Sequence, residues 1–485
     1  MADLNVGPGP GRRRILTLVA VAVGLLLIGI GGSVVDAVEP PFRPSPIPLV
    51  GRTTTICTAT KPAEGNATAQ VAAVVSRQAP GREGELTGTS LAGGKPSLTV
   101  TEQGKAQQIG GVSEPVVMTG VGVMATASSA AVFNVSIEGV DAGLMAAPCV
   151  TPGTTHWFTG LGATESDRTE LVLSNADDSQ ASVDLRFYGR DGRVVVPGSP
   201  GLVIEARQTI TVALSGLVDV EGPLAVAIQA DQGRVSAVAK RNRASGARPI
   251  GADWQLPSPA PAPAMVIPGV PEDAGARELV VTNPGPVRAS VAVSVLGLQG
   301  PYAPIGAETV EVAAESSATV DLAEGLAGEA AAIKLTSDQP VTGAVVSSSR
   351  REGAQADLAV QSGALPLVRT GVSALATTRA GDGELVLSNT GTTDAAVSFE
   401  VLSYDGVVLG TDDVLLGPDS TATRRLSAPP PSYVVVRVPN GSAVVGGVVL
   451  TQPEGKVAGL ATVPLTSPDV ASRAPATQVD PAVGR

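Results

Sequence analysis

The sequence predicts an all-β protein, built from tandem immunoglobulin-like or fibronectin-type β-sandwich domains that follow one N-terminal transmembrane helix. The first observation is a repeated phrase: ELVLSN at Glu170–Asn175 and Glu384–Asn389, with a close copy, ELVVTN, at Glu278–Asn283. The second is a composition with 43% hydrophobic but only 2% aromatic residues, 57 Gly and 39 Pro, which favours short β-branched strands joined by many turns. The third is one long uncharged apolar run near the N-terminus.

The apolar run at residues 15–35 is long enough for a transmembrane helix, which needs about 20 residues. Three arginines at 12–14 precede it, so the positive-inside rule makes 1–14 a cytoplasmic tail and places the bulk of the chain on the extracytoplasmic side. The proline-rich residues 36–52 are expected to form an extended stalk. The alternative is a cleavable secretory signal with a cleavage site at 35–37, which would also export the chain.

The segment 53–150 is predicted to be a divergent β-sandwich. Residues 67–75 (ATAQVAAVV) resemble the strand that follows the repeated phrase in the other copies, and residues 116–133 resemble their closing hairpin. The two cysteines, Cys57 and Cys149, bracket this segment in an exported region, which predicts a disulfide between them.

Three repeats follow at 151–256, 257–364 and 365–466, each of about 105 residues, which is the size of an immunoglobulin-like sandwich. In each repeat the phrase is predicted to be one strand, with its leucines facing the core. A second strand with period-two apolar residues follows, and a hairpin closes the repeat. The Asn that ends each phrase predicts a turn. Residues 255–264 (QLPSPAPAPA) are interpreted as a spacer, and 467–485 as a disordered tail.

Four residues are candidates for a ligand-binding or interdomain surface. His156, Trp157 and Phe158 form the densest aromatic spot of the chain, and Trp254 opens the proline–alanine spacer. One interpretation is that they pack a domain core or a domain junction. The other is a platform on which the apolar face of a sugar ring stacks.

The search for chemistry finds no zinc, calcium, phosphate-loop or nucleophile-elbow motif, and the chain has a single His. The sequence therefore predicts no enzymatic activity, no catalytic residues, no metal site and no cofactor. A net charge of −12 argues against a nucleic-acid partner. The basic run Lys240–Arg243 is predicted to protect an exposed strand edge, with contact to an anionic wall polymer or lipid headgroup as the alternative.

Several of these features together resemble a known family. They are the arginine-flanked anchor, the proline stalk, the element from Cys149 to Gly153 that leads into Trp157 and Phe158, the Gly160-x-Gly162 that follows, and the first ELVLSN strand. The resemblance is to an uncharacterised family of actinobacterial, single-pass, secreted-side proteins, known as a domain of unknown function. It implies a cell-envelope location and a β-rich ectodomain, with no activity or site residues to carry over.

The resulting functional hypothesis is a membrane-anchored extracytoplasmic protein of the cell envelope. It would act without catalysis as a binding or spacer module for an envelope polysaccharide or a partner protein. The alternative is an accessory subunit that positions a membrane glycosyltransferase or a polymer-ligating enzyme. A wall hydrolase that uses scattered carboxylates is the minor alternative.

Overall fold

The computed structural model describes residues 51–59, 68–77, 83–246, 248–272, 275–349, 353–375, 383–426, 431–451 and 459–468. The predicted cytoplasmic tail, transmembrane helix, nearly all of the stalk and nearly all of the C-terminal tail lie outside these residues. Within the described part, no helix has the length and apolarity that a membrane crossing requires. The described chain is nearly all β, as predicted, and residues 49–474 form one compact unit.

The strands form four modules, each made of two sheets. Module 1 contains β1 (Arg52–Cys57), β2 (Thr68–Val75), β3 (Gly84–Ser90), β4 (Leu98–Val100), β5 (Ala106–Gly110), β6 (Val116–Gly122), β7 (Ser128–Ser136) and β8 (Gly143–Pro148), with a 3-10 turn at Val123–Thr126. Its strand orders are β1-β6-β3-β4 and β5-β2-β7-β8. Cys57 and Cys149 form the predicted disulfide, which links the first strand to the residue after the last.

Module 2 contains β9 (Thr155–Leu161), β10 (Asp167–Ser174), β11 (Ala181–Gly189), β12 (Gly192–Val194), β13 (Leu202–Ile204), β14 (Thr209–Ala213), β15 (Leu224–Gln232), β16 (Ser236–Ser245) and β17 (Arg248–Gln255), with a 3-10 turn at Leu214–Gly216. One sheet has the order β12-β11-β15-β9, with β13 also beside β11. The other has the order β14-β10-β16-β17.

Module 3 contains β18 (Ala262–Val270), β19 (Arg277–Asn283), β20 (Ala289–Gly297), β21 (Gly300–Tyr302), β22 (Thr309–Val312), β23 (Ser316–Asp321), the short helix α1 (Ala323–Leu326), β24 (Ala331–Ser348) and β25 (Leu358–Ser362). The long strand β24 belongs to both sheets of the module. Its first half pairs with β18 and β20, and its second half pairs with β19 and β25.

Module 4 contains β26 (Thr370–Leu375), β27 (Gly383–Asn389), β28 (Ala395–Ser403), β29 (Val408–Leu416), β30 (Ser420–Leu426), β31 (Ser432–Arg437), β32 (Val444–Thr451) and β33 (Leu460–Pro464). Its sheets have the orders β26-β31-β28-β29 and β30-β27-β32-β33. In every module we call the sheet with the first strand the lateral sheet, and the sheet with the last strand the axial sheet.

All four modules share one topology, which differs from that of an immunoglobulin domain. An immunoglobulin sandwich places strands A, B, E and D in one sheet and C, F and G in the other. Module 2 keeps the equivalents of the B–E and C–F pairs, because β10 pairs with β14 and β11 with β15. However, the first strand β9 lies beside β15, and β16, the equivalent of strand G, lies beside β10. The two outer strands have therefore exchanged sheets.

Two sequence-based assignments differ from the structure. The stretches predicted to form closing hairpins do not pair with each other; the chain passes from the lateral sheet to the axial sheet between them, as β15 and β16 show. In module 1, β2 lies between β5 and β7, which is the place that the repeated phrase occupies in the other modules. Residues 67–75 were instead predicted to match the strand after the phrase.

The core of each module lies between its two sheets. In module 2, Leu171 and Leu173 of the phrase face inward, as predicted, and pack with Val183, Leu185 and Phe187 from the lateral sheet. Val172 points to the opposite face of the axial sheet and is also buried, where it packs against residues of module 1. The axial sheet is thus buried on both faces, which explains why its strands are apolar at consecutive positions.

The Asn that ends each phrase is a buried turn residue, as predicted. The side-chain amide of Asn175 donates to three carbonyl oxygens, of Ser179, Ile204 and Glu205. Its own oxygen accepts the N–H of Asp177 at 3.0 Å. Asn283 and Asn389 repeat this pattern in modules 3 and 4, so each phrase ends in the same fixed loop.

The modules close into a ring. The last strands contact one another in the cycle β8–β17–β25–β33–β8, so they form a four-stranded box around a common axis. Module 4 also meets module 1 directly, because Ala106 N donates to Tyr404 O at 2.9 Å and the hydroxyls of Ser129 and Thr466 lie 2.5 Å apart.

The predicted proline–alanine spacer is wrong, because Gln255 ends β17, residues 262–264 begin β18, and Ser258 between them is buried. Ser258 N donates to Trp157 O at 2.8 Å, and Ser258 Oγ donates to Gly343 O of module 3 at 3.2 Å. The segment therefore joins two modules by hydrogen bonds on both sides and holds them together.

The basic run at 240–243 does not cover an edge, because β16 lies between β10 and β17. Lys240 Nζ lies 2.7 Å from Asp141 Oδ2 of module 1, and Arg243 Nη2 lies 2.6 Å from Glu278 Oε2 of module 3. These side chains therefore bridge three modules with partly or fully buried ion pairs.

Candidate functional site

The ring axis begins at a buried carboxylate, Asp357, which precedes β25 and has no exposed surface. Its oxygens accept backbone N–H groups from all four modules. The donors are Leu144 and Leu460 at 2.8 Å, Leu358 at 2.9 Å and Ala252 at 3.4 Å. One side chain therefore joins the last strands of all four modules.

Glycines give Asp357 the space that it needs. A Cβ atom on Gly143 or Gly251 would lie 2.4 or 2.5 Å from Asp357 Oδ1. Gly143, Gly251 and Gly459 each precede the N–H donor of their own module, and Asp357 is the residue at that position in module 3. The central carboxylate thus replaces the glycine of the other three modules.

A second buried carboxylate, Asp253, lies further along the axis and also has no exposed surface. It accepts N–H groups from Trp254 at 2.8 Å, Val360 at 2.9 Å and Ala146 at 3.4 Å, so it joins modules 1, 2 and 3.

Burial dominates the electrostatics of both acids. Desolvation raises the pKa of Asp357 to about 7, although the surrounding N–H groups favour its charged form. Desolvation also raises the pKa of Asp253 well above its ordinary value, and the nearby Asp357 raises it further. Both carboxylates are enclosed and hydrogen-bonded, so they act as structural links between modules.

An apolar pocket of 390 Å³ lies at the other end of the axis, where the last strands of the four modules end. Each module contributes to its wall: Pro148 from module 1, Trp254 from module 2, Val360 from module 3 and Pro464 from module 4. Five prolines line it in all, at positions 148, 257, 259, 268 and 464. A volume in this range and a mainly apolar wall are typical of a ligand pocket.

His156 and Phe158 lie on the inner face of β9. Phe158 has no exposed surface and belongs to the core of module 2. His156 is 6% exposed, with Nε2 2.8 Å from Val235 O, and burial lowers its pKa. Both side chains are held inside the protein, away from any ligand surface.

Trp157 and Trp254 lie at module junctions. Trp157 points out of the opposite face of β9 and stacks on Tyr188, with ring centroids 5.9 Å apart. Trp254 is 1% exposed, and its Nε1 donates to Asn134 Oδ1 of module 1 at 3.0 Å. Trp254 also lines the axial pocket, so the structure brings this predicted site residue to a cavity wall.

Sequence reasoning missed the axial carboxylates and most of the pocket. A signal existed in a Gly-Leu or Gly-Ala pair in or next to the last strand of modules 1, 2 and 4, where module 3 has Asp357-Leu358. The pocket left no such signal, because its wall combines residues from all four modules. Among the described residues, no group of three or more His, Cys, Asp or Glu is arranged to hold a metal ion.

The fold and the axis define a class of protein: an all-β chain whose four two-sheet modules close into a ring around buried carboxylates. The chain belongs to a family of unknown function, DUF5719, whose model matches residues 99–382. The match begins in β4 of module 1, covers modules 2 and 3 completely and ends just before the third copy of the phrase. No curated protein sequence shows significant similarity to this chain.

Proposed function

We propose that this is a single-pass protein of the actinobacterial cell membrane whose extracytoplasmic ring binds a partner protein without catalysing a reaction. The apolar run at 15–35 and the arginines before it support the anchor and its orientation. The four modules are variants of the immunoglobulin-like sandwich in which the outer strands have exchanged sheets. The observation that carries the binding function is the axial pocket, because all four modules combine to form it.

The chemistry of the pocket indicates the kind of group that it accepts. The wall is mainly apolar and is formed by prolines together with Val360, Leu256 and Trp254. A polar ligand would therefore lose its hydration without gaining many hydrogen bonds. An apolar side chain or a short apolar segment of a protein would bury its surface there at low cost. The rigid proline-rich wall also needs little ordering on binding, which favours affinity.

The partner is an extracytoplasmic segment of another envelope protein. A second candidate function follows if that partner is an enzyme: the ring would then be the accessory subunit that positions a glycosyltransferase or polymer-ligating enzyme. The position of the pocket on the axis favours this candidate, because a segment held there is fixed relative to all four modules.

Site-specific photo-crosslinking in cells tests the proposal. Leu365 lies at the pocket rim and is 71% exposed, and Leu415 on β29 is 70% exposed but is not a pocket residue, so a photoreactive residue at each position makes a matched pair. We expect a discrete protein adduct from position 365 only. The adduct should disappear when Ala364→Phe fills the pocket and persist with the control Ala396→Phe on an exposed site of β28.

Two outcomes would contradict the proposal. One is the absence of a position-specific adduct at 365, and the other is an adduct that survives Ala364→Phe. Identification of the adduct by mass spectrometry then separates the two candidates, since only an enzyme as partner supports the accessory-subunit function.

A further inference from the structure

The junction between modules 1 and 2 differs from the other three junctions of the ring. At the other junctions, a strand of one lateral sheet, or the residue that follows it, meets an axial-sheet strand of the next module through a hydrogen bond: β11 meets β23, β20 meets β30, and the residue after β28 meets β5. These bonds run from Ser317 Oγ to Tyr188 O at 3.2 Å, from Thr421 Oγ1 to Leu296 O at 2.6 Å, and from Ala106 N to Tyr404 O at 2.9 Å. In the described chain no such bond joins β3 to β14, the corresponding strands of modules 1 and 2.

A polar cleft of 530 Å³ lies at this junction instead. Its floor is the outer face of the lateral sheet of module 1, where Thr54, Thr119 and Thr87 stand side by side on three adjacent strands. Thr89 extends the same face along β3. In module 2 the equivalent face carries the aromatic side chains of Trp157 and Tyr188. Module 1 therefore presents threonine hydroxyl groups where module 2 presents aromatic rings.

The opposite wall of the cleft comes from module 2 and carries fixed charges. Asp177 accepts two hydrogen bonds from Arg234, at 2.9 and 3.0 Å, and Asp178 accepts one from Arg207 at 2.8 Å. The hydrogen bond from Arg234 lowers the pKa of Asp177. The Asn175 turn at the end of the repeated phrase holds Asp177 in place through its N–H.

The charges of the cleft balance, since its lining includes three arginines and three acids: Arg52, Arg207, Arg234, Glu85, Asp177 and Asp178. A balanced site gains little from an anionic or cationic ligand, unlike a basic groove that attracts phosphate or sulfate. Hydroxyl, carboxylate and guanidinium groups together offer many donors and acceptors to a neutral molecule that is rich in hydroxyl groups. Adjacent strands lie about 4.8 Å apart, so the threonine row repeats at about the width of a hexose ring.

We propose that this cleft, defined by the threonine row and the paired charges opposite it, binds a neutral oligosaccharide. The site is separate from the axial pocket, and the inference does not rest on the proposed protein partner. The threonine hydroxyls of module 1 contact the sugar from one side. The carboxylates and guanidinium groups of module 2 contact it from the other, so ligand binding also ties the two modules together.

Titration calorimetry on the purified full-length protein tests this proposal with a panel of neutral oligosaccharides: glucans, mannans, galactans and chito-oligosaccharides. We expect at least one to bind with an affinity that changes little with salt. Thr119→Val and Thr87→Val keep the shape and strand preference of each residue but remove a hydroxyl. Each should weaken binding roughly two- to tenfold, the equivalent of one lost hydrogen bond.

Controls make the result specific. Thr411→Val, on the exposed strand β29 of module 4, should leave binding unchanged, and so should the axial-pocket variant Ala364→Phe. Equal thermal midpoints for Thr119→Val and the parent protein would show that the fold is intact. The proposal is overturned if no neutral oligosaccharide binds at millimolar concentration, if Thr119→Val and Thr87→Val both bind as tightly as the parent, or if only a sulfated polymer binds and salt abolishes it.

Discussion

Replacement of Asp357 by Ala should loosen the ring at its centre. The substitution leaves three well-placed buried N–H groups without an acceptor, those of Leu144 and Leu460 at 2.8 Å and Leu358 at 2.9 Å. Each orphaned group costs about 1–3 kcal/mol, or about 3–9 kcal/mol for three. Removal of a buried carboxylate returns several kcal/mol of desolvation energy, so we expect a net loss of about 2–5 kcal/mol in unfolding free energy.

Equilibrium unfolding in urea at pH 7, followed by tryptophan fluorescence, measures this loss. The two tryptophans suit the purpose, because Trp254 lies beside the axis and Trp157 lies at the junction of modules 2 and 3. Asp413→Ala is the matched control, since Asp413 is exposed on β29 and its substitution should change stability by less than about 0.5 kcal/mol. If Asp357→Ala and Asp413→Ala unfold at the same urea concentration, the carboxylate does not hold the modules together.

Three further predictions concern the same architecture. Burial raises the pKa of Asp357 to about 7, above that of an unfolded aspartate. The stability that protonated Asp357 contributes is therefore complete below about pH 4 and is lost as pH rises through about 7. Urea midpoints of unfolding measured across that range should fall less steeply in Asp357→Asn than in the parent protein. Asn283→Ala removes four hydrogen bonds of a fully buried side chain and should cost about 2–4 kcal/mol in urea unfolding, whereas Asn440→Ala at an exposed position should cost almost nothing. Reduction of the disulfide, or replacement of Cys57 and Cys149 by Ser, should lower the unfolding free energy by about 2–5 kcal/mol; a thermal midpoint that does not respond to reductant would contradict this.

The modular β architecture was readable from the sequence because it depends on local patterns. Period-two apolar residues and the repeated phrase identify strands and their recurrence, and Leu171 and Leu173 lie in the core as that pattern requires. The Asn at the end of the phrase was predictable as a turn residue for the same reason, since two of its four hydrogen bonds lie within its own turn. The disulfide followed from the presence of two cysteines in a segment that the sequence predicts to be exported.

The exchange of outer strands between the two sheets of a module could not be predicted from the sequence. A stretch such as β15 followed by β16 has the same apolar pattern whether the two halves pair with each other or lie in different sheets. In module 1 the phrase itself is absent, so β2 could be placed only by its neighbours in space.

Ring closure, the axial pocket and the polar cleft depend on contacts between modules, which no local pattern reports. Asp357 acts through N–H groups of residues more than a hundred positions away in each direction, Leu144 and Leu460 among them. The aromatic residues at 156–158 drew attention because they are rare in this chain, yet His156 and Phe158 fill interior positions. The threonines of the polar cleft are ordinary strand residues in the sequence. They form a continuous row only because the pairing register of three strands places them side by side on one face of the sheet.

The closed ring is most directly tested at the contact between modules 1 and 4. The hydroxyls of Ser129 and Thr466 lie 2.5 Å apart, across most of the length of the chain, and the described residues contain no free cysteine. The double variant Ser129→Cys/Thr466→Cys should therefore oxidise to an additional disulfide, detected as a crosslinked peptide by mass spectrometry, whereas Ser129→Cys/Leu415→Cys should not. Two thiols at 129 and 466 that stay fully reactive towards a maleimide under oxidising conditions would show that the modules form an open string.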